Sequence, residues 1–190
     1  GDYRIVAPSP CINVGSAALL PPGYAFDFEG TPRVSGGGLD VGADEILAEL
    51  HGTGEDLFMT TLVNGAQGGT DSKVASAGDL LFVNIASPNW TFVGGVPLLV
   101  ANFYPTSAPP APSGIFGVQI DLATMLVLLD GLAPFPFGAL ALPPQGISVG
   151  YITPAGLAGF VLRLQAAVLH PAQAANALFA TADAHVVTFQ

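Results

Sequence analysis

The chain has 190 residues, of which 51% are hydrophobic and only 9% charged, with a net charge of −10 at pH 7. It is too apolar and too sparsely charged to be disordered, and long enough to bury a core. Four Lys and Arg side chains are too few to displace phosphate counterions, so nucleic acid is excluded as a partner. The single cysteine, Cys11, rules out an internal disulfide and is expected to be a small buried hydrophobe.

The first 45 residues carry four turn-like strings in sequence: Asp2-Tyr3-Arg4-Ile5, Ser9-Pro10-Cys11-Ile12-Asn13-Val14-Gly15, Asp27-Phe28-Glu29-Gly30-Thr31-Pro32-Arg33 and Leu39-Asp40-Val41-Gly42-Ala43-Asp44-Glu45. This order resembles the C-terminal end of secreted right-handed parallel β-helix proteins of the pectate-lyase-like type. Asn13, Glu29 and Asp44 depart from that pattern, where Asp, Asp and an aromatic residue are usual. The resemblance implies a terminal β-helix coil at residues 1–45. One coil buries its apolar face only by stacking on neighbours, so it must pack on the rest of the chain or on another copy.

The chain begins at Gly1 without a basic segment followed by an apolar one, and is expected to be a processed product or a fragment. After Glu45 the texture changes to strand-length apolar segments punctuated by Gly and Pro. Strands are expected at 57–63, 80–85, 97–103, 115–120, 122–129, 160–169 and 178–189. Gly68-Gly69 and Gly94-Gly95 read as hairpin turns. The stretch 122–129 is the longest apolar run; it is too short to cross a bilayer and ends at Asp130-Gly131, so it reads as a core strand. The clearest alternation runs from Phe160 to Val168, with Phe160, Leu162, Leu164, Ala166 and Val168 on one face and Arg163 and Gln165 on the other, as a half-buried antiparallel strand requires. The Pro-rich stretches 105–114, 133–138 and 142–146 connect strands or blunt edges. Together these imply an antiparallel, jelly-roll-like β-sandwich at 46–190.

The last part of that unit has Pro143-Pro144, Gly156-Leu157, Leu164-Gln165-Ala166-Ala167-Val168-Leu169-His170-Pro171 and Asn176-Ala177-Leu178 before a closing strand. It is similar to a C-terminal domain of secreted proteins from planctomycete-type bacteria, with His170 where Asp is usual. The two resemblances imply an extracellular, secreted or cell-surface location and carry no catalytic residues with them.

Chemistry is sparse. His51, His170 and His185 show no metal-binding spacing and read as surface or turn residues. No nucleophile elbow or phosphate-binding loop occurs, so no catalytic residue is assigned. Asp27, Glu29, Asp40 and Asp44 are a candidate Ca²⁺ set, although in the family they resemble they belong to the turn framework. No other cofactor is expected. Trp90, in Ser87-Pro88-Asn89-Trp90-Thr91, reads foremost as a packing or interface anchor, and with Tyr104 and Tyr151 forms the candidate set for glycan or subunit contact.

These readings lead to an all-β protein, a terminal β-helix-type coil joined to a β-sandwich, acting as a non-enzymatic extracellular subunit. Copies of itself are the expected partners, paired through strand edges at 1–15 and 178–189 into a filament, tube or surface assembly. The alternative is a carbohydrate-binding or wall-anchoring module of a larger β-helix enzyme.

Overall fold

Segments rich in Val, Ile, Leu and Phe at period two pair into sheets because alternate side chains then leave water together on one face. The computed structural model describes residues 11, 14–21, 23, 24, 33, 39–42, 50, 52–66, 71–110, 113–115, 117–133, 140–173 and 178–190. Its strands are β1 (Phe58–Val63), β2 (Ser72–Ala75), β3 (Leu80–Ala86), β4 (Val96–Pro105), β5 (Leu126–Asp130), β6 (Ile147–Ile152), β7 (Phe160–Leu169), β8 (Ala180–Thr181) and β9 (His185–Phe189). The described residues hold no α-helix, and a 3-10 turn at Ala17–Leu19 is their sole helical element.

One sheet has the order β1-β3-β6 and the other β2-β9-β7-β4-β5, with β8 beside β7. Their inner faces share one core: Met59, Leu81, Val83 and Ile85 from the first sheet meet Leu99, Ala101, Leu164, Ala166, Val168, Val187 and Phe189 from the second. Phe92 and Leu142, both buried, plug the core from the connections. Burying a side chain of this size stabilises the fold by roughly 1.5–3 kcal/mol. The molecule is thus an all-β sandwich. The pairing is antiparallel except at one edge, where β2 runs parallel to β9 with Ser72 opposite Val186 and Ala75 opposite Phe189.

Strand β7 spans the expected residues, and Leu164, Ala166 and Val168 face the core as the alternation requires. Its other face departs from expectation, because Gln165 is buried rather than solvated. The residues around 117–124 lie across it as a further layer. Gln165 Nε2 donates to the carbonyls of Gly117 and Ala182, and Gln165 Oε1 accepts from the Gln119 backbone N–H. Thr181 Oγ1 donates to Gly117 O at 2.6 Å, Arg163 to Gln119 O, and Asn102 Nδ2 to Asp121 O. A Cβ on Gly117 would lie 2.7 Å from the Thr53 side chain, and its φ is +74°, so glycine is required at this close approach.

This layer explains why the described residues of 115–120 form no strand. Backbone groups of Gly117, Val118 and Gln119 bond side chains of β7, β8 and Ser113 instead of a neighbouring strand, and Asn102 of β4 holds the next residue, Asp121. The expected strand at 122–129 is shortened for a related reason. Asp121 accepts hydrogen bonds from Ala123 N–H and Thr124 Oγ1, a side-chain-closed turn that postpones the strand to Leu126. What remains, β5, is an exposed edge strand rather than a core strand. Gly94-Gly95 is no hairpin either, since β3 and β4 belong to different sheets. The expected strand 178–189 is broken between β8 and β9, and neither piece offers a free edge: β8 pairs with β7 on one side and exchanges hydrogen bonds between Thr181 and Thr53 on the other, and β9 lies between β2 and β7. The pairing edge expected at 178–189 is therefore corrected.

The coil expected at 1–45 lies mostly outside the described residues. Within it, Gly15 N–H donates to Leu39 O, Val41 N–H to Cys11 O, and Arg33 Nη2 to Gly42 O at 2.7 Å. Cys11 is partly exposed rather than buried. No helix among the described residues is long and apolar enough to cross a membrane.

Candidate functional site

The connection from β3 to β4 is built around one carboxylate. Asp56 accepts from Ser87 Oγ at 2.6 Å, Asn89 Nδ2 at 2.9 Å, Asn89 N–H at 3.1 Å and Thr91 N–H at 3.2 Å. Partial burial works to raise its pKa, but the hydrogen bonds from Ser87, Asn89 and Thr91 outweigh that and hold it below the usual carboxylate value. Phe92, whose N–H donates to Ser87 Oγ, roots the loop in the core, edge-on to His170 at 5.9 Å between ring centroids. His170 sits in a turn as expected, its Nδ1 accepting from Ala172 N–H.

Trp90 stands on this rooted loop 69% exposed. The reading of the lone tryptophan as a packing anchor is overturned: the anchor is Phe92, two residues on. Trp90 also adopts φ +63°, a left-handed conformation that costs a side-chain-bearing residue about 1 kcal/mol. A bulky aromatic there is an outlier.

The other two aromatic candidates do not join it. Tyr104 lies at the far end of β4, and eight residues of strand at about 3.3 Å each put it roughly 25 Å from the Trp90 end. Its ring is covered by the Arg163 guanidinium at 5.6 Å. Tyr151 on β6 packs against the core, and its hydroxyl donates to Leu128 O at 3.3 Å, tying the edge strands of the two sheets together. Burial raises its pKa.

Of the acidic set, Asp27, Glu29 and Asp44 lie outside the described residues. Asp40 is buried, and its carbonyl accepts from Arg33 Nη2 at 3.3 Å. No group of three or more metal-capable side chains gathers among the described residues.

A polar cluster unforeseen in the sequence lies inside the sandwich. Thr61 Oγ1 is 2.8 Å from His185 Nδ1, and His185 Nε2 is 3.2 Å from Asp71 Oδ1. Burial pushes the His185 pKa down to about 4, helped by nearby Lys73 and opposed by Asp183 and the Met59 carbonyl. The imidazole is therefore neutral at pH 7, donating from Nε2 to Asp71 and accepting from Thr61 at Nδ1. A hydroxyl, an imidazole and a carboxylate in line is the arrangement of nucleophilic catalysis. Here the hydroxyl is sealed, with Thr61 1% and His185 6% exposed, so the cluster joins β1 of one sheet to β9 and the start of β2 in the other. The expectation of an exposed His185 is overturned. Its alternation with Val187 and Phe189, which are buried on the same face, is the signal that would have revealed it.

A further surface feature is the β5 edge. Leu126 is 47% and Val127 51% exposed, continuing an exposed stretch through Leu122 and Met125. Among the described residues β5 pairs with β4 alone, with an irregularity opposite Leu99 and Val100.

No protein-family model matches the chain. No curated protein matches it either. Among solved structures it is similar to a cellulose-active polysaccharide monooxygenase from M. thermophila, at 18% identity and a TM-score of 0.35, over 69% of this chain and 63% of that one. The match therefore spans less than two thirds of that protein.

Proposed function

We propose that the chain is a non-enzymatic structural subunit that acts outside the cell and associates with copies of itself by strand pairing, into a filament, tube or surface assembly. The observation that carries this reading is β5, an edge strand with the sequence LVLLD and exposed Leu126 and Val127. Edges that resist pairing usually carry lysine, proline or inward charge. Strand β5 has none of these before Asp130, and among the described residues it is protected by the irregularity near Leu128 and by the Tyr151 hydroxyl on Leu128 O. The pairing edge is thus assigned to 126–130 in place of 178–189.

Two further features agree with it. The hydroxyl of the Thr61, His185 and Asp71 relay is sealed from substrate. No lysine or arginine is exposed among the described residues: Arg33 and Lys73 are buried and Arg163 lies against Tyr104. Copies carrying a surplus of acid repel one another, so association strengthens as salt screens that charge. The extracellular setting rests on the resemblance of both ends of the chain to secreted proteins.

Sedimentation velocity over a range of concentrations and salt tests the reading. The wild type is expected to form larger species as both rise, and Val127→Lys, a change at an exposed site, to remain monomeric with an unaltered melting temperature. A wild type that is monomeric throughout, or a Val127→Lys variant that assembles equally well, contradicts it.

A further inference from the structure

We propose that Trp90 is the stacking platform of a binding site for neutral carbohydrate, separate from the β5 edge. Three independent features meet at this residue. It is the sole tryptophan of the chain and is 69% exposed. It holds a left-handed backbone, φ +63°, at a position where glycine would be unstrained. The loop beneath it is fixed by the Asp56 hydrogen bonds and by buried Phe92, so little backbone freedom is left to lose on binding. An exposed aromatic on a strained, hydrogen-bonded loop serves no packing purpose in the sandwich.

The surroundings select the class of ligand. Pro88, Asn89 and Thr91, which flank Trp90 in sequence, are all exposed, and none is a large aliphatic or aromatic side chain. Protein-binding hot spots sit inside a well-packed apolar patch that excludes water. A single flat ring with a polar rim instead suits a pyranose, whose C–H face stacks on the indole while its equatorial hydroxyls stay hydrated at the edge. Charge narrows the choice further. Anionic glycans such as polyuronates need cations, and the chain has four Lys and Arg against fourteen Asp and Glu, with no cation exposed among the described residues. The ligand is therefore an uncharged sugar chain. One ring binds one sugar weakly, so copies joined through β5 would gain retention on a polymer by avidity.

The lone tryptophan makes its own fluorescence a direct reporter. The test is a titration, at a dilution where the chain sediments as a monomer, with hexasaccharides of β-linked glucose, N-acetylglucosamine and mannose, and with hexagalacturonate as the anionic control. Retention on the matching insoluble polymers is measured alongside. The expected result is a saturable change in emission with at least one neutral hexasaccharide and none with hexagalacturonate. Trp90→Ala is expected to lose retention at least tenfold with an unchanged melting temperature, and Trp90→Tyr to keep part of it. No emission change with any of the three neutral probes, equal retention of Trp90→Ala, or stronger binding of the anionic control each overturns the proposal. So does an emission shift that appears with protein concentration alone and is matched by loss of assembly in Trp90→Ala, which would make Trp90 a subunit contact.

Discussion

The two hydrogen-bonded networks of this molecule use the same chemistry to opposite ends. Around His185, a hydroxyl and an imidazole are shut inside the sandwich with a half-buried carboxylate, that of Asp71, at their outer end, and their bonds tie one sheet to the other. Around Asp56, a carboxylate near the surface gathers Ser87, Asn89 and Thr91 and leaves Trp90 standing in water. Burial is what separates them. A relay whose hydroxyl is buried is a clasp, whereas the anchored loop with an exposed ring is the contact we propose.

The contrast can be broken most severely at the clasp. His185→Ala leaves the Thr61 hydroxyl without the imidazole and opens a cavity, so a loss of about 3 kcal/mol is expected in urea unfolding, with glycan retention per folded molecule unchanged. Acid attacks the same point. The unfolded imidazole titrates near 6.5 and the folded one near 4, so between those values the unfolded state binds the extra proton. Stability is accordingly complete above pH 6.5 and falls as the pH drops towards 4, by about 3 kcal/mol at 1.36 kcal/mol per pKa unit. Unfolding midpoints at pH 7 and pH 4.5, in the wild type and in His185→Gln, check this: the variant should lose most of that slope.

Smaller effects are expected at the loop. Asp56→Ala removes the acceptor for three residues and should cost about 2 kcal/mol, with new protease cleavage confined to 87–94 and a change in Trp90 emission. Trp90→Gly works in the other direction. It relieves the left-handed strain and should raise stability by up to about 1 kcal/mol while abolishing glycan retention. A clasp variant that alters retention, or a loop variant that leaves Trp90 emission untouched, would erase the division between the two networks.

What the sequence discloses follows the reach of the interactions involved. Strands β1, β3, β4 and β7 are legible within one or two residues because their alternation is local and their ends are marked by Gly or Pro. Strand β2 escapes because Ser72–Ala75 is four residues long and carries Lys73 on its inner face. Strand β6 is obscured by Gly150 in mid-strand. Residues 115–120 look like a strand, yet Arg163, Gln165 and Thr181, distant in sequence, bind the backbone of Gly117 and Gln119 as a covering layer. The same layer turns Gln165 from a surface residue into a buried one. Site reading shows the same limit. Trp90 is visible as a candidate, but the carboxylate that poses it lies 34 positions earlier, and Thr61, Asp71 and His185 meet only because β1, β2 and β9 converge. Among the described residues, the convergence of Trp90, Tyr104 and Tyr151 into one platform does not occur.

Electron microscopy of the concentrated wild type beside Val127→Lys, at low and raised salt, tests the assembly account most directly. The account predicts regular filaments, tubes or sheets from the wild type, favoured by salt, and dispersed particles from the variant. Dispersed single particles from the wild type at every concentration and salt would contradict it.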